Sequence, residues 1–174
     1  MCLKAVSLFF VFFSSVKFTS ACNGYNLKVD YIKPCTADSV VIPKNMDFAF
    51  DSKCNLVLSG CVEMTKTLKT SKATYELTKS PMPTMTGDVD LCSLFGNKKK
   101  LFVTKQVFEA YGLPKSCPVP AKKYCVNGKQ LISIDSYKNK LGMALGSVVT
   151  KLNVDHEDAG KTCVDIKMTV SKKK

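Results

Sequence analysis

A chain of 174 residues with 45% hydrophobic side chains is long enough to enclose one apolar core and too apolar to remain disordered. Its formal charge is +12, and all 26 of its basic side chains are lysine. Arginine is the usual bidentate partner of guanine edges and phosphate, so its absence argues against sequence-specific nucleic-acid recognition.

The N-terminus reads as a secretory leader. Met1 to Lys4 carry one positive charge, Ala5 to Phe13 are mostly apolar, and Thr19-Ser20-Ala21 supplies the small residues a signal peptidase prefers. The apolar run is too short to span a bilayer, Lys17 interrupts its end, and no later segment is long and apolar enough to span one. A buried N-terminal helix is the rival reading. Cleavage after Ala21 removes 21 of the 174 residues and leaves 153, a single predicted domain over 22–174 with a basic tail at 171–174. Loss of Lys4 and Lys17 takes the charge from +12 to +10. The expected location is extracellular, or the lysosomal lumen if the protein is retained on the secretory route.

Cleavage also removes Cys2 from the nine cysteines and leaves Cys22, Cys35, Cys54, Cys61, Cys92, Cys117, Cys125 and Cys163. An even set in an exported chain predicts four disulfides, although eight cysteines permit 105 pairings. A zinc site is the competing use, but there is one histidine and no tight paired CxxC spacing, so neither metal nor cofactor is expected. No Asn-x-Ser/Thr acceptor occurs.

Period-two alternation, the mark of half-buried strands, runs through most of the chain. Leu27, Val29 and Tyr31 share one predicted face, as do Phe48 and Phe50. Leu56, Leu58, Val62 and Met64 oppose Ser59, Cys61 and Glu63, and Tyr75 and Leu77 lie between Thr74, Glu76 and Thr78. From Asp90 to Tyr111 the apolar spacing changes to threes and fours, which predicts two short helical turns interrupted at Gly96 to Lys100 and stopped by Gly112 and Pro114. Pro118 and Pro120 hold the following chain extended. Val148, Leu152 and Val154, then Val164, Ile166, Met168 and Val170, predict a C-terminal hairpin turning at the polar Asp155 to Lys161. About seven to eight strands with a helical insertion favour a mostly β, two-sheet antiparallel sandwich or cup of immunoglobulin-like type.

Four stretches carry a family resemblance: Cys22 followed by Val40-Val41-Ile42-Pro43-Lys44-Asn45; Asp90-Leu91-Cys92-Ser93-Leu94; Tyr111-Gly112-Leu113-Pro114-Lys115-Ser116-Cys117-Pro118; and Gly146 with Gly160-Lys161-Thr162-Cys163-Val164-Asp165-Ile166. In this order they resemble the ganglioside-activator branch of the ML lipid-recognition superfamily, and the chain is also similar to insect secreted and chemosensory proteins of that pattern. The likeness covers nearly all of 22–171. It implies a Cys22–Cys163 staple between first and last strands and a Cys92–Cys117 bridge across the helical insertion. Cys35, Cys54, Cys61 and Cys125 have no secure counterparts, and Cys125 is an alternative to Cys117.

The implied function is a secreted lipid-binding or lipid-transfer protein that presents its guest to a membrane, enzyme or receptor. Where two sheets fail to meet, an apolar cavity remains, and each buried methylene contributes roughly 0.8 kcal/mol. The candidate lining comes from Phe48, Phe50, Leu58, Val62 and Met64 in the first half, with Tyr75 and Leu77 after them. Val148, Leu152, Ile166 and Met168 complete the walls, and Leu101, Phe102, Val107 and Phe108 in the insertion form the candidate mouth. Lys98, Lys99 and Lys100 beside that mouth suit an anionic membrane surface, although a solvated lysine loop explains them equally.

Two rivals stand. An enzyme would use His156, flanked by Asp155, Glu157 and Asp158, but no nucleophile elbow accompanies it and a solvated histidine in an acidic turn is the simpler expectation. The second is a secreted interaction factor of salivary, venom or chemosensory kind that acts through its basic surface. No nucleic-acid partner is expected, and the sequence leaves the oligomeric state open.

Overall fold

The alternating segments become eight strands: β1 (Tyr25–Pro34), β2 (Val41–Phe50), β3 (Asn55–Met64), β4 (Lys72–Thr78), β5 (Met85–Asp90), β6 (Lys123–Ser133), β7 (Gly146–Asp155) and β8 (Lys161–Lys172). The structure is a computed structural model and describes residues 21–96 and 102–172. Within that range β1-β8-β7-β4-β5 form a five-stranded sheet and β2-β3-β6 a three-stranded one, antiparallel throughout. Residues 1–20 of the predicted leader 1–21, and residues 97–101 and 173–174, lie outside the described residues.

The C-terminal hairpin pairs in full register from Gly146↔Val170 to Asp155↔Lys161. Two short helices fill the insertion, α1 (Leu91–Gly96) and α2 (Phe102–Ala110). Asp90 caps α1 by accepting the Cys92 and Ser93 amides at 2.9 and 3.3 Å. At the end of α2, Gly112 takes φ +69°. There the Leu113 N–H donates to Phe108 O and the Gly112 N–H to Glu109 O, each at 3.0 Å. That is the left-handed helix stop that glycine adopts without a Cβ penalty.

The three-stranded sheet builds the main core. Leu58 of β3 is completely buried, and Tyr124, Val126 and Ile132 of β6 pack with it against Val40, Leu68, Tyr111 and Val119. Burying such a side chain contributes roughly 1.5–3 kcal/mol. A second cluster of Cys22, Cys54, Ile134 and Leu141 closes one end of the molecule and draws in Tyr25 of β1 with Phe50 and Leu56.

Gly60 is a fixed point of the small sheet. Its φ is +95°, and a Cβ there would fall 2.2 Å from Asn45 O and 2.6 Å from Met46 Cα, where β2 breaks register between Lys44 and Asp47. Both neighbours are backbone and cannot swing away. Gly60→Ala is therefore expected to cost about 2–3 kcal/mol, from strained φ and collision together, readable as a lower urea midpoint at unchanged slope. A wild-type midpoint would contradict this reading of the crossing.

Four disulfides are present, and they correct one expected pairing. Cys22 bonds to Cys54 and Cys35 to Cys163, with Cα atoms 4.6 and 5.2 Å apart, so the Cys22–Cys163 staple does not form. The reason is register. β1 pairs with β8 from Tyr25↔Lys172 to Pro34↔Val164, which delivers Cys35 to Cys163. Cys22 sits before the other end of β1, about 30 Å away at the usual strand rise, beside the β2–β3 turn that holds Cys54. Cys92 bonds to Cys117 across the helical insertion. Cys125 pairs with Cys61, its cross-strand neighbour, and so does not replace Cys117.

Candidate functional site

The two sheets are joined along one side, where β1 and β2 run next to each other. On the other side α1 lies against β4 and α2 against β6. Between these supports the larger sheet turns a mostly apolar face inward. Register places Leu77 and Tyr75 of β4, Val148, Thr150 and Leu152 of β7, Ile166 and Met168 of β8, and Val29 and Ile32 of β1 on this face. Tyr25, on the same face of β1, reaches the cluster containing Cys54, which fixes the direction as inward.

A closed sandwich would bury these side chains. Here each of those nine is only partly buried. Among the described residues, the buried side chains of this sheet, Ala73, Val154, Thr162, Cys163, Val164 and Val170, belong to neither core cluster. Inward apolar side chains of the small sheet, Phe48, Val62 and Met64 among them, are likewise only partly buried.

The candidate residues divide accordingly. Phe48, Val62 and Met64 lie partly buried against the main cluster, and Phe50 against the second. Tyr75, Leu77, Val148, Leu152, Ile166 and Met168 share the inward face of the larger sheet. Leu58, at 0% exposure, lies inside the main cluster. Val107 packs against the main cluster, and Phe108 is partly buried in α2. Leu101 and Lys98, Lys99 and Lys100 lie outside the described residues, as does the side chain of Phe102.

Thr150, Val29 and Ile32 were missed. A register shift between Val29 and Tyr31 turns Ile32 inward opposite Ile166. Tyr31 is thereby turned out, 36% exposed, with Lys33 Nζ 4.9 Å from its ring centroid, so it does not share the face of Leu27 and Val29. Strict alternation cannot reveal a bulge, since a single inserted residue reverses every face beyond it.

His156 overturns a second expectation. It is 3% exposed rather than solvated. Its Nδ1 lies 2.8 Å from Ser71 Oγ and its Nε2 2.9 Å from Thr162 Oγ1, and Ser71 and Thr162 are themselves buried. Burial holds the imidazole below the usual histidine range, against the opposing pull of the Thr70 carbonyl and the Asp155 charge. The turn folds this way because Ala159 packs into the main cluster and draws the hairpin tip down over the core. Nearby Tyr111, 4% exposed, has its phenol pushed up to about 12 by burial and donates to Ser59 O at 3.4 Å. Among the described residues no group of three or more His, Cys, Asp or Glu is placed to hold a metal ion.

No family model matches the chain. It is 29% identical over 159 residues, covering 87% of its own length and 84% of the relative's, to sporozoite-associated mosquito saliva protein 1 of Anopheles gambiae. That likeness to a saliva protein, together with four disulfides, fits an extracellular, oxidising setting.

Proposed function

We propose that the protein is a secreted carrier that holds an acyl chain or similar lipid between its two sheets. The observation that carries this reading is the mostly apolar inner face of the large sheet, partly exposed across β4, β7 and β8. Leaving that much apolar side chain half-covered wastes burial unless a guest completes it, and a twelve-carbon chain gains on the order of 10 kcal/mol before ordering costs. The resemblance to the ML superfamily supports the same use of the space. We read the molecule as a binding protein and not an enzyme, since Ser71 and His156 are both turned away from solvent.

The saliva relative favours a second reading, a secreted salivary factor acting through its lysine-rich surface. One experiment separates the two. Protein secreted from eukaryotic cells is examined by native mass spectrometry and lipid extraction, then titrated with a fluorescent fatty acid. The carrier reading expects co-purifying lipid and a saturable site. It also expects Ile166→Trp, which fills space equal to about two methylenes, to weaken the probe about 15-fold while changing stability by less than about 1 kcal/mol. An empty protein that ignores the probe leaves the surface reading standing.

A further inference from the structure

One polar chain crosses between the sheets. The Val41 N–H, at the start of β2, donates to Thr162 Oγ1 of β8 at 3.1 Å. Thr162 Oγ1 also lies against His156 Nε2, and His156 Nδ1 against Ser71 Oγ just before β4. With the proton of the neutral ring assigned to Nδ1, Thr162 accepts from Val41 and donates its own proton to Nε2, and Nδ1–H donates to Ser71 Oγ. The adjacent Val40 N–H donates to Lys161 O at 3.0 Å, so the small sheet meets the β7–β8 hairpin at just this point.

We propose that Ser71, His156 and Thr162 form an acid-released latch tying β2 of the small sheet to the β7–β8 hairpin of the large one. A second ring proton on Nε2 removes the acceptor of the Thr162 hydroxyl. That O–H is then stranded in a site 3% exposed to solvent, beside a newly buried charge. The ring relieves both penalties by leaving for water, and the Val41 amide then loses its tie through Thr162.

Proton access is available. His156 forms part of the wall of a surface hollow of about 300 Å³ that Lys66, Lys69, Glu157 and Asp158 also line. The charges facing the site are mixed. Asp155, Glu157 and Asp158 come from the hairpin itself and Lys66 and Lys69 from the β3–β4 connection. Lys72 of β4 is paired with Glu157 at 3.6 Å, and Lys161 of β8 and Asp38 of the β1–β2 connection complete the set. The acids moderate the release without preventing it, because all of these groups are exposed whereas the ring is not.

Amide exchange on the full secreted chain tests the latch. After correction for intrinsic rates, opening at Val41 is expected to rise toward tenfold for each pH unit below about 6.5, while Val126 of β6, paired with Gly60 of β3, stays protected. His156→Gln, which cannot take up the charge, should flatten the Val41 profile. Constant protection at Val41, an unchanged profile in His156→Gln, or Val126 opening in step would each overturn the latch. If His156→Gln does not fold, the wild-type comparison of Val41 with Val126 decides alone.

That acid also widens the cleft rests on the carrier reading, and an uncharged probe, Nile red, addresses it separately. Faster release at pH 5 than at pH 7.5 is expected. A chain that never binds the probe but opens at Val41 keeps the latch and loses the carrier.

Discussion

Replacing both Cys35 and Cys163 with serine is expected to lower the unfolding free energy by about 5 kcal/mol, the larger of two contrasting disulfide losses. The bond joins positions 128 apart in sequence, and the entropy that such a link removes from the unfolded chain corresponds to about 5 kcal/mol. The native state should change little, since β1 and β8 remain hydrogen-bonded up to Pro34↔Val164. The comparison is the Cys92–Cys117 bridge, whose separation of 25 corresponds to about 3.5 kcal/mol. Urea unfolding of the two double-serine variants, with far-ultraviolet circular dichroism to check that each still folds, decides the matter. An equal or smaller loss for the Cys35–Cys163 pair would mean that native-state strain, not chain entropy, governs these links.

The same bond marks how far the sequence could be read. Alternation from Val148 to Val154 and from Val164 to Val170 announces the terminal hairpin, because one face must be buried for the pattern to exist at all. Asp90 and Gly112 announce the ends of the helical insertion through cap chemistry that is local in the chain. Disulfide pairing is not local. It depends on which end of β1 meets which end of β8, and only the three-dimensional register places Cys35, not Cys22, beside Cys163. His156 fails for the opposite reason. Its neighbours in sequence are acidic and exposed, so it looks solvated. The contacts that bury it come from Ser71, 85 residues earlier, and from Ala159 anchoring the turn in the core. The apolar wall of the large sheet was legible residue by residue, yet whether it faces packed core or a gap is a property of the spacing between layers, on which alternation is silent.

That spacing can be weighed by an identical truncation in each sheet. Leu58 and Leu152 are both inward leucines in the middle of strands, β3 and β7. Leu58 is completely buried among Val126, Ile132 and their neighbours, so Leu58→Ala leaves a void the surrounding strands cannot fill and is expected to cost about 3–4 kcal/mol. Leu152 is only partly buried. Its truncation removes fewer buried contacts, so Leu152→Ala is expected to cost about 1–1.5 kcal/mol. Urea midpoints at matched slopes measure both. With bound lipid the order should shift: Leu152→Ala then loses contacts with the guest, its destabilisation grows with ligand concentration by linkage, and Leu58→Ala shows no such growth. Equal losses in the lipid-free protein would mean that the two sheets meet in one filled core. In that case the half-exposed face of β4, β7 and β8 is a surface and not the wall of a cleft.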